Sequence, residues 1–190
     1  MSDSAGKSIF DAAAATLLLL LVAPLFAIIA AAVRLTSPGA IFYRQTRVGK
    51  GGRLFAMLKF RSMAENADQT GPWHTEENDP RVTWVGRVLR SASLDELPQI
   101  IHVIRGEMSL VGPRPPVPAQ VWDYTAEERL ILFSIRPGLT GLAQVMGRSN
   151  LPVEARTDYS IHYALHRTML MDLRILARTA WTVVNRQGTN

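Results

Sequence analysis

Asp95 and Glu96 stand side by side in the stretch SASLDELPQ, residues 91 to 99, within a basic chain. Adjacent carboxylates repel unless a cation lies beside them. One can then ligate a hard ion such as Mg2+ while the other stays free to attack phosphorus. A pair of acids, a metal and many guanidiniums suits diphosphate chemistry. Helix capping offers a blander use for either acid. Ser93 and Glu96 fit a capping box, and Asp95 as the cap would place Pro98 at the third helical position, where no intrahelical donor is required. Capping accounts for one acid and not readily for both. With helical spacing, Asp95, Gln99 and His102 share a face opposite Leu94, Leu97, Ile101 and Ile104, so the acids would project from a buried helix into polar space.

The surrounding composition supplies the phosphate-binding groups. The chain of 190 residues has room for one domain with its own core, and its formal charge is +5. Of its 21 basic residues, 18 are Arg and 3 are Lys (Lys7, Lys50, Lys59). Guanidinium presents a planar fork that grips phosphate bidentately, although an Arg-rich genome would produce the same bias. The absence of cysteine excludes a disulfide framework, Cys-ligated zinc and a thiol nucleophile.

The elements that must position these groups begin with an apolar segment. From Ala12 to Val33 the chain runs 22 residues without a charge, long enough to cross a hydrocarbon core of ~30 Å. Pro24 removes a backbone hydrogen bond at its middle, so a kink is expected at Ala23-Pro24. Length and the basic flank from Arg34 to Arg61 favour a spanning helix by pattern alone; a helix bent at Pro24 would instead dip in and return to the same side. A secretory signal fits less well, because the apolar run is too long and the start carries Asp3 and Asp11. Beyond it, Ile41 to Val48 and Arg53 to Phe60, joined by GKGG, predict a β-hairpin. Residues 65–80 read as an exposed loop, a helix is expected from Ala126 to Phe133, and a last helix from about Tyr159 to Asn185. GEMSLVGPRPPVP and RPGLTGLAQVMGR read as breaker-rich loops.

The kinked apolar segment, SPGAIFYRQTRVGKGGRLFAMLKFRSM, DPRVTWVGRVLRSASLDELPQ, GEMSLVGPRP, RPGLTGLAQVMGR and MDLRIL follow one another over almost the whole length. In this the chain resembles the bacterial sugar transferases that act on polyprenyl phosphate, the monotopic phosphoglycosyl transferases, in a minimal catalytic form. The resemblance implies that Asp95 attacks the β-phosphorus of a UDP-sugar, expelling UMP and leaving a covalent phosphosugar. Polyprenyl phosphate then displaces Asp95, with Glu96 as the Mg2+ ligand.

The implied fold is α+β and mainly helical. A kinked re-entrant membrane helix (1–34) joins a small catalytic domain (35–190) with a β-hairpin and interfacial helices. This domain would sit on the cytoplasmic face of a bacterial inner membrane, with a phospholipid membrane as partner, no nucleic acid, and room for a homo-oligomer. Lys59, Arg61, Arg90 and Arg114 are the expected phosphate contacts. Arg136 and Arg148 flank PGLTGLAQVMG, whose glycines could expose backbone N–H groups to an anion or could simply make turns. The sequence departs from the family pattern in carrying Ala23 in place of Ser before Pro24, His102 in place of Asn, and Ser160 in place of Asp. His162 and His166 have metal-like spacing without further ligands. The last helix, with Arg167, Arg174, Arg178 and Arg186, either lies on anionic lipid or packs on the domain. The rival readings are a non-catalytic membrane-anchored basic module and a nucleotide-sugar phosphodiesterase.

Overall fold

The computed structural model describes residues 4–67, 79–147 and 151–184. The apolar segment forms one long helix, α1 (Ala5–Thr36), with Pro24 inside it and Ser4 capping its start through the Lys7 N–H. Its two ends are buried, and its middle packs Leu19, Val22 and Phe26 against the domain while leaving its other face exposed. Ala15 lies in a core with Ile100, Val103, Met108, Leu110 and Tyr163, whereas Ile29 and Val33 lie in a second core with Phe60, Val85 and Leu89. Between these anchors Leu17, Leu20, Leu21 and Ile28 are 60 to 71% exposed, and Ala23 and Pro24 are exposed with them.

The hairpin pairs β1 (Phe42–Val48) with β2 (Leu54–Phe60) antiparallel, Tyr43 opposite Lys59 and Arg47 opposite Phe55. Gly51 and Gly52 make its turn at positive φ, a conformation other residues adopt at a cost. Helix α2 (Trp84–Ser91), capped by Thr83, leads into a 3₁₀ segment, Leu94–Gln99, and then α3 (Ile100–Ile104). The expected capping box does not form. Ser93 is left-handed and caps nothing with its side chain, because Glu96 is drawn instead to two cations, and a charge-assisted bond outweighs one to a neutral N–H.

The breaker-rich loops conceal a small parallel pair, β3 (Ser109–Val111) with β4 (Gly138–Thr140). A Cβ on Gly138 or Gly141 would overlap the backbone of Gly112. The glycines therefore serve close backbone approach here. Helix α4 (Ala126–Leu132) has the expected position, followed after β4 by α5 (Leu142–Met146). The single last helix expected from Tyr159 is two helices, α6 (Val153–His166) and α7 (Met169–Val184). Thr168 divides them, its hydroxyl accepting from the Met171 N–H at 3.1 Å, an N-cap that periodicity alone does not reveal.

A buried ionic cluster ties the start of α1 to this later part of the chain. Lys7 Nζ donates to Asp172 Oδ2 at 2.6 Å, and Tyr163 Oη donates to the other Asp172 oxygen at 2.7 Å. Asp11 Oδ2 accepts from Ser109 Oγ at 2.8 Å and Arg136 Nη2 at 3.2 Å. Two cations balance two carboxylates. Asp11→Ala is expected to cost about 3–5 kcal/mol, because it leaves buried cations without their counter-charge; a fall in melting temperature in detergent checks this, and an unchanged one contradicts it.

Candidate active site

The dyad lies where three walls meet. The 3₁₀ segment carries Asp95 and Glu96, β2 carries Lys59, and the loop after β3 carries Arg114. Pro98 cannot donate an N–H and sits among the short-pitch residues, so the acids do not continue the α-helical face that their spacing suggests. The Arg114 loop is pinned to the hairpin by the Val48 N–H on the Pro116 carbonyl at 3.0 Å and by Arg47 Nη1 on the Pro115 carbonyl at 2.8 Å.

The two carboxylates are treated differently. Lys59 Nζ donates to Glu96 Oε1 at 2.9 Å and Arg114 Nη2 to the same oxygen at 2.7 Å. Burial pushes the Glu96 carboxyl up, but the charges and hydrogen bonds of Arg114 and Lys59 overcome it and hold the group well below the usual range. No hydrogen bond restrains the Asp95 side chain among the described residues, and its residue is 9% exposed. Burial and the neighbouring Glu96 charge raise its pKa, against the opposing pull of Lys59, Arg90 and Arg114. One acid is thus clamped and favours its charged form, while the other is buried without a side-chain hydrogen bond among the described residues.

These groups line a cavity of about 1620 Å³ together with Tyr43, Gln45, Arg47 and Arg61, larger than the 300–1,000 Å³ usual for one small ligand. Lys59, Arg90 and Arg114 are brought to the dyad as expected. Arg61 lines the same cavity, yet its Nη2 caps the end of α1, donating to the Ser37 carbonyl and Oγ at 2.8 Å each, while its Nε and Nη1 find no partner among the described residues. Arg136 does not join the dyad: it is buried against Asp11 and Ser8 and contributes nothing to the lining. Flanking a glycine loop gave it the look of an anion contact, but the partner is a carboxylate of α1, 125 residues away in sequence. Arg148 lies outside the described residues.

Sequence reasoning passed over Arg47. Its guanidinium is held by Gln45 Oε1 at 2.7 Å and Pro115 O, and burial with the nearby Arg114 charge lowers its pKa to about 10. Strand alternation places it with Tyr43 and Gln45 on one face of β1, a signal present in the sequence but without a direction until the hairpin has a neighbour.

His102 also has a role that spacing did not show. Its Nε2 accepts the Leu58 N–H at 3.0 Å, so Nδ1 carries the proton facing Glu107 Oε2 at 2.5 Å. The bond fastens α3, which follows directly on the dyad's 3₁₀ segment, to the strand residue next to Lys59. His102→Ala is expected to slow the reaction at the dyad about tenfold by loosening the Lys59–Glu96 pair. His102→Gln, whose amide oxygen can accept the same N–H, should restore most of it; equal loss in both variants excludes a positioning role.

The dyad offers carboxylates of the kind Mg2+ takes, although both Glu96 oxygens already accept from Lys59 or Arg114. Such an ion takes one or two protein carboxylates and fills its shell with substrate phosphates and water, and Glu96 beside Asp95 supplies that number. Among the described residues there is no cluster of three or more potential ligands from His, Cys, Asp and Glu, so most ligands would come from the substrate.

Comparison with known proteins agrees with this geometry. The family described as bacterial sugar transferase matches residues 2–186. Exopolysaccharide production protein ExoY of Sinorhizobium fredii is 41% identical over 198 residues, covering 96% of this chain and 87% of that protein. The UDP-glucose:undecaprenyl-phosphate glucose-1-phosphate transferase of Caulobacter vibrioides is 44% identical over 180 residues, 91% of this chain and 67% of that one. A UDP-N-acetylgalactosamine-undecaprenyl-phosphate N-acetylgalactosaminephosphotransferase of Aeromonas hydrophila is 35% identical, covering 94% of this chain and 43% of that protein. With its motifs matched nearly end to end and its acids set in a cationic cavity, the chain belongs to the bacterial sugar transferase family.

Proposed function

We propose that this protein transfers a sugar-1-phosphate from a UDP-sugar to undecaprenyl phosphate, releasing UMP and forming undecaprenyl-diphosphate-sugar. The observation that carries the reading is the asymmetry within the dyad: Asp95 is buried and unclamped while Glu96 is ion-paired to Lys59 and Arg114. An Asp95 carboxylate oxygen attacks the β-phosphorus, and the bond from that phosphorus to the UMP oxygen breaks. An oxygen of the acceptor phosphate then attacks the same phosphorus, and the bond to Asp95 breaks. Dividing the transfer this way suits a carboxylate nucleophile.

Lys59, Arg90 and Arg114 neutralise the diphosphate and the charge developing on UMP. Glu96 would hold Mg2+ against the donor phosphates, where the ion supplies electrostatic stabilisation of phosphoryl oxygens. Arg47, held beside Arg114, adds a further cation to the wall. The relatives named for glucose and N-acetylgalactosamine donors support a UDP-sugar as the class, and the ExoY relatives support a role in making a surface glycan.

The same reading places α1 as a re-entrant helix in the inner membrane, with the catalytic domain on the cytoplasmic face. If straight, a helix of 32 residues measures about 48 Å, ample for a span. What supports re-entry is that both ends dock on the same domain, Lys7 on Asp172 and Val33 beside Phe60, while one face of the apolar middle, with Leu17, Leu20, Leu21 and Ile28, stays exposed. A spanning helix would have to tear Lys7 and Asp11 from their buried partners. A cysteine placed at Ser4, the sole thiol in the chain, is expected to react with an impermeant maleimide only from the cytoplasmic side; labelling from outside establishes a span.

The deciding experiment is UMP release from a panel of UDP-sugars by detergent-purified protein with Mg2+, with and without undecaprenyl phosphate, followed by intact-protein mass. Acceptor-dependent release and a phosphosugar adduct are expected. Free sugar phosphate as the product makes the protein a phosphodiesterase, and neither turnover nor donor binding makes it a non-catalytic module.

A further inference from the structure

The cavity that holds the dyad continues past the cationic wall. Its far side is formed by Leu18 of α1, Leu139 of β4, Ala143 of α5, and Leu176 and Ala180 of α7, with Gln144 and the Thr140–Thr179 pair among them. The two threonines satisfy one another at 2.8 Å, and Thr179 also bonds the Ile175 carbonyl. Of these groups, Gln144 Nε2 is the polar atom left without a hydrogen-bond partner among the described residues. The helices on either side carry exposed apolar surface: Leu17 and Leu21 on α1 are 60% and 71% exposed, and Leu170 and Trp181 on α7 are 57% and 66% exposed. The groove thus joins the reacting carboxylate to Leu18, whose neighbours Leu17, Leu20 and Leu21 form an exposed apolar face of α1.

We propose that this groove between α1, α5 and α7 seats the first isoprene units of the polyprenyl phosphate acceptor, delivering its phosphate to Asp95. The proposal rests on the transferase reading above and adds where the acceptor's hydrocarbon lies. An isoprenoid has no hydrogen-bonding groups, so its recognition depends on apolar lining and on continuity with the site its phosphate must reach. Both conditions meet at Leu139, Ala143, Leu176 and Ala180.

The two half-reactions separate this proposal from the reading beneath it. Ala180→Phe and Ala143→Leu narrow the groove away from the dyad. Each is expected to form the phosphosugar adduct and release UMP, without acceptor, within about twofold of the unmodified protein. Transfer from the adduct to subsaturating undecaprenyl phosphate should fall about tenfold or more, as displaced methylenes lose their apolar seat. As a second measurement on the unmodified protein, a polyprenyl phosphate with a diazirine in its first isoprene units should label peptides of α5 or α7, competed by undecaprenyl phosphate. Wild-type transfer rates in both variants, or labelling confined to other peptides, overturns the proposal. Should neither variant form the adduct, the labelling result alone decides. Absence of adduct and UMP release in the unmodified protein overturns the transferase reading itself, and the groove's assignment falls with it.

Discussion

Asp95→Asn is expected to abolish phosphosugar adduct formation and lower transfer by at least about 10³-fold, the scale of losing a covalent nucleophile. The protein should nonetheless be as stable as the parent, or more so. The pKa of Asp95 is raised in the folded state, chiefly by burial, so its ionised form is disfavoured there relative to the unfolded chain. That cost is absent at pH below the unfolded value and is fully present above the folded one. Asparagine, which does not ionise, removes it. Intact-protein mass after incubation with donor, with thermal unfolding beside it, checks both halves. An adduct in the variant would remove Asp95 as the nucleophile, and a lower melting temperature would contradict the account of its burial.

The second large effect is expected at Glu96. Glu96→Gln should slow adduct formation about 10²-fold, because Lys59 and Arg114 lose the charge they pair with and the carboxylate proposed to hold Mg2+ is removed. The pH profile should move in an informative direction. Adduct formation requires ionised Asp95, so its rate falls as pH drops through a pKa lying above the ordinary aspartate value of about 3.9. The Glu96 charge is one cause of that elevation, whereas Lys59, Arg90 and Arg114 oppose it. Removing the Glu96 charge therefore shifts the acid limb of kcat/KM to lower pH even as the plateau falls. General loss of structure would lower the plateau without that shift, so an unmoved limb contradicts the electrostatic coupling. Stability responds with the opposite sign at this residue. The depressed Glu96 pKa contributes stability that is present above its unfolded value and lost as pH falls through the folded one.

The structure assigns the basic residues three kinds of work that composition treats alike. Lys59, Arg90 and Arg114 face the acids of the dyad. Arg136 and Lys7 neutralise Asp11 and Asp172 at the base of α1. Arg61 closes the other end of that helix on Ser37. The helix is consequently held at both ends by charge or hydrogen bonds from the domain, and its bare apolar centre is where lipid contact is expected. The pairs Lys7–Asp172 and Arg136–Asp11 were not legible from spacing, since each crosses more than a hundred residues, whereas Lys7–Asp11, at i,i+4, is a local contact.

What the sequence determined by itself was largely local or carried in motifs. The hairpin follows from two β-prone runs around glycines, and observed strands start within a residue of the expected ones. The long apolar helix follows from 22 uncharged residues, and the adjacency of Asp95 and Glu96 is plain in the chain, but it is the fold that brings Lys59, Arg90 and Arg114 to them. Tertiary structure decided the rest. It turned the capping box into an ion-paired 3₁₀ segment, because Pro98 disfavours the α-helical ladder and two cations outcompete a backbone N–H for Glu96. It broke the last helix at Thr168 and paired β3 with β4 inside what read as loops, since parallel pairing of three-residue strands leaves no periodic trace. It sent Arg136 to Asp11 and His102 to the Leu58 N–H. Each of these outcomes depends on which distant group arrives at hydrogen-bonding distance, and buried polar groups take the partner that the packed chain brings them.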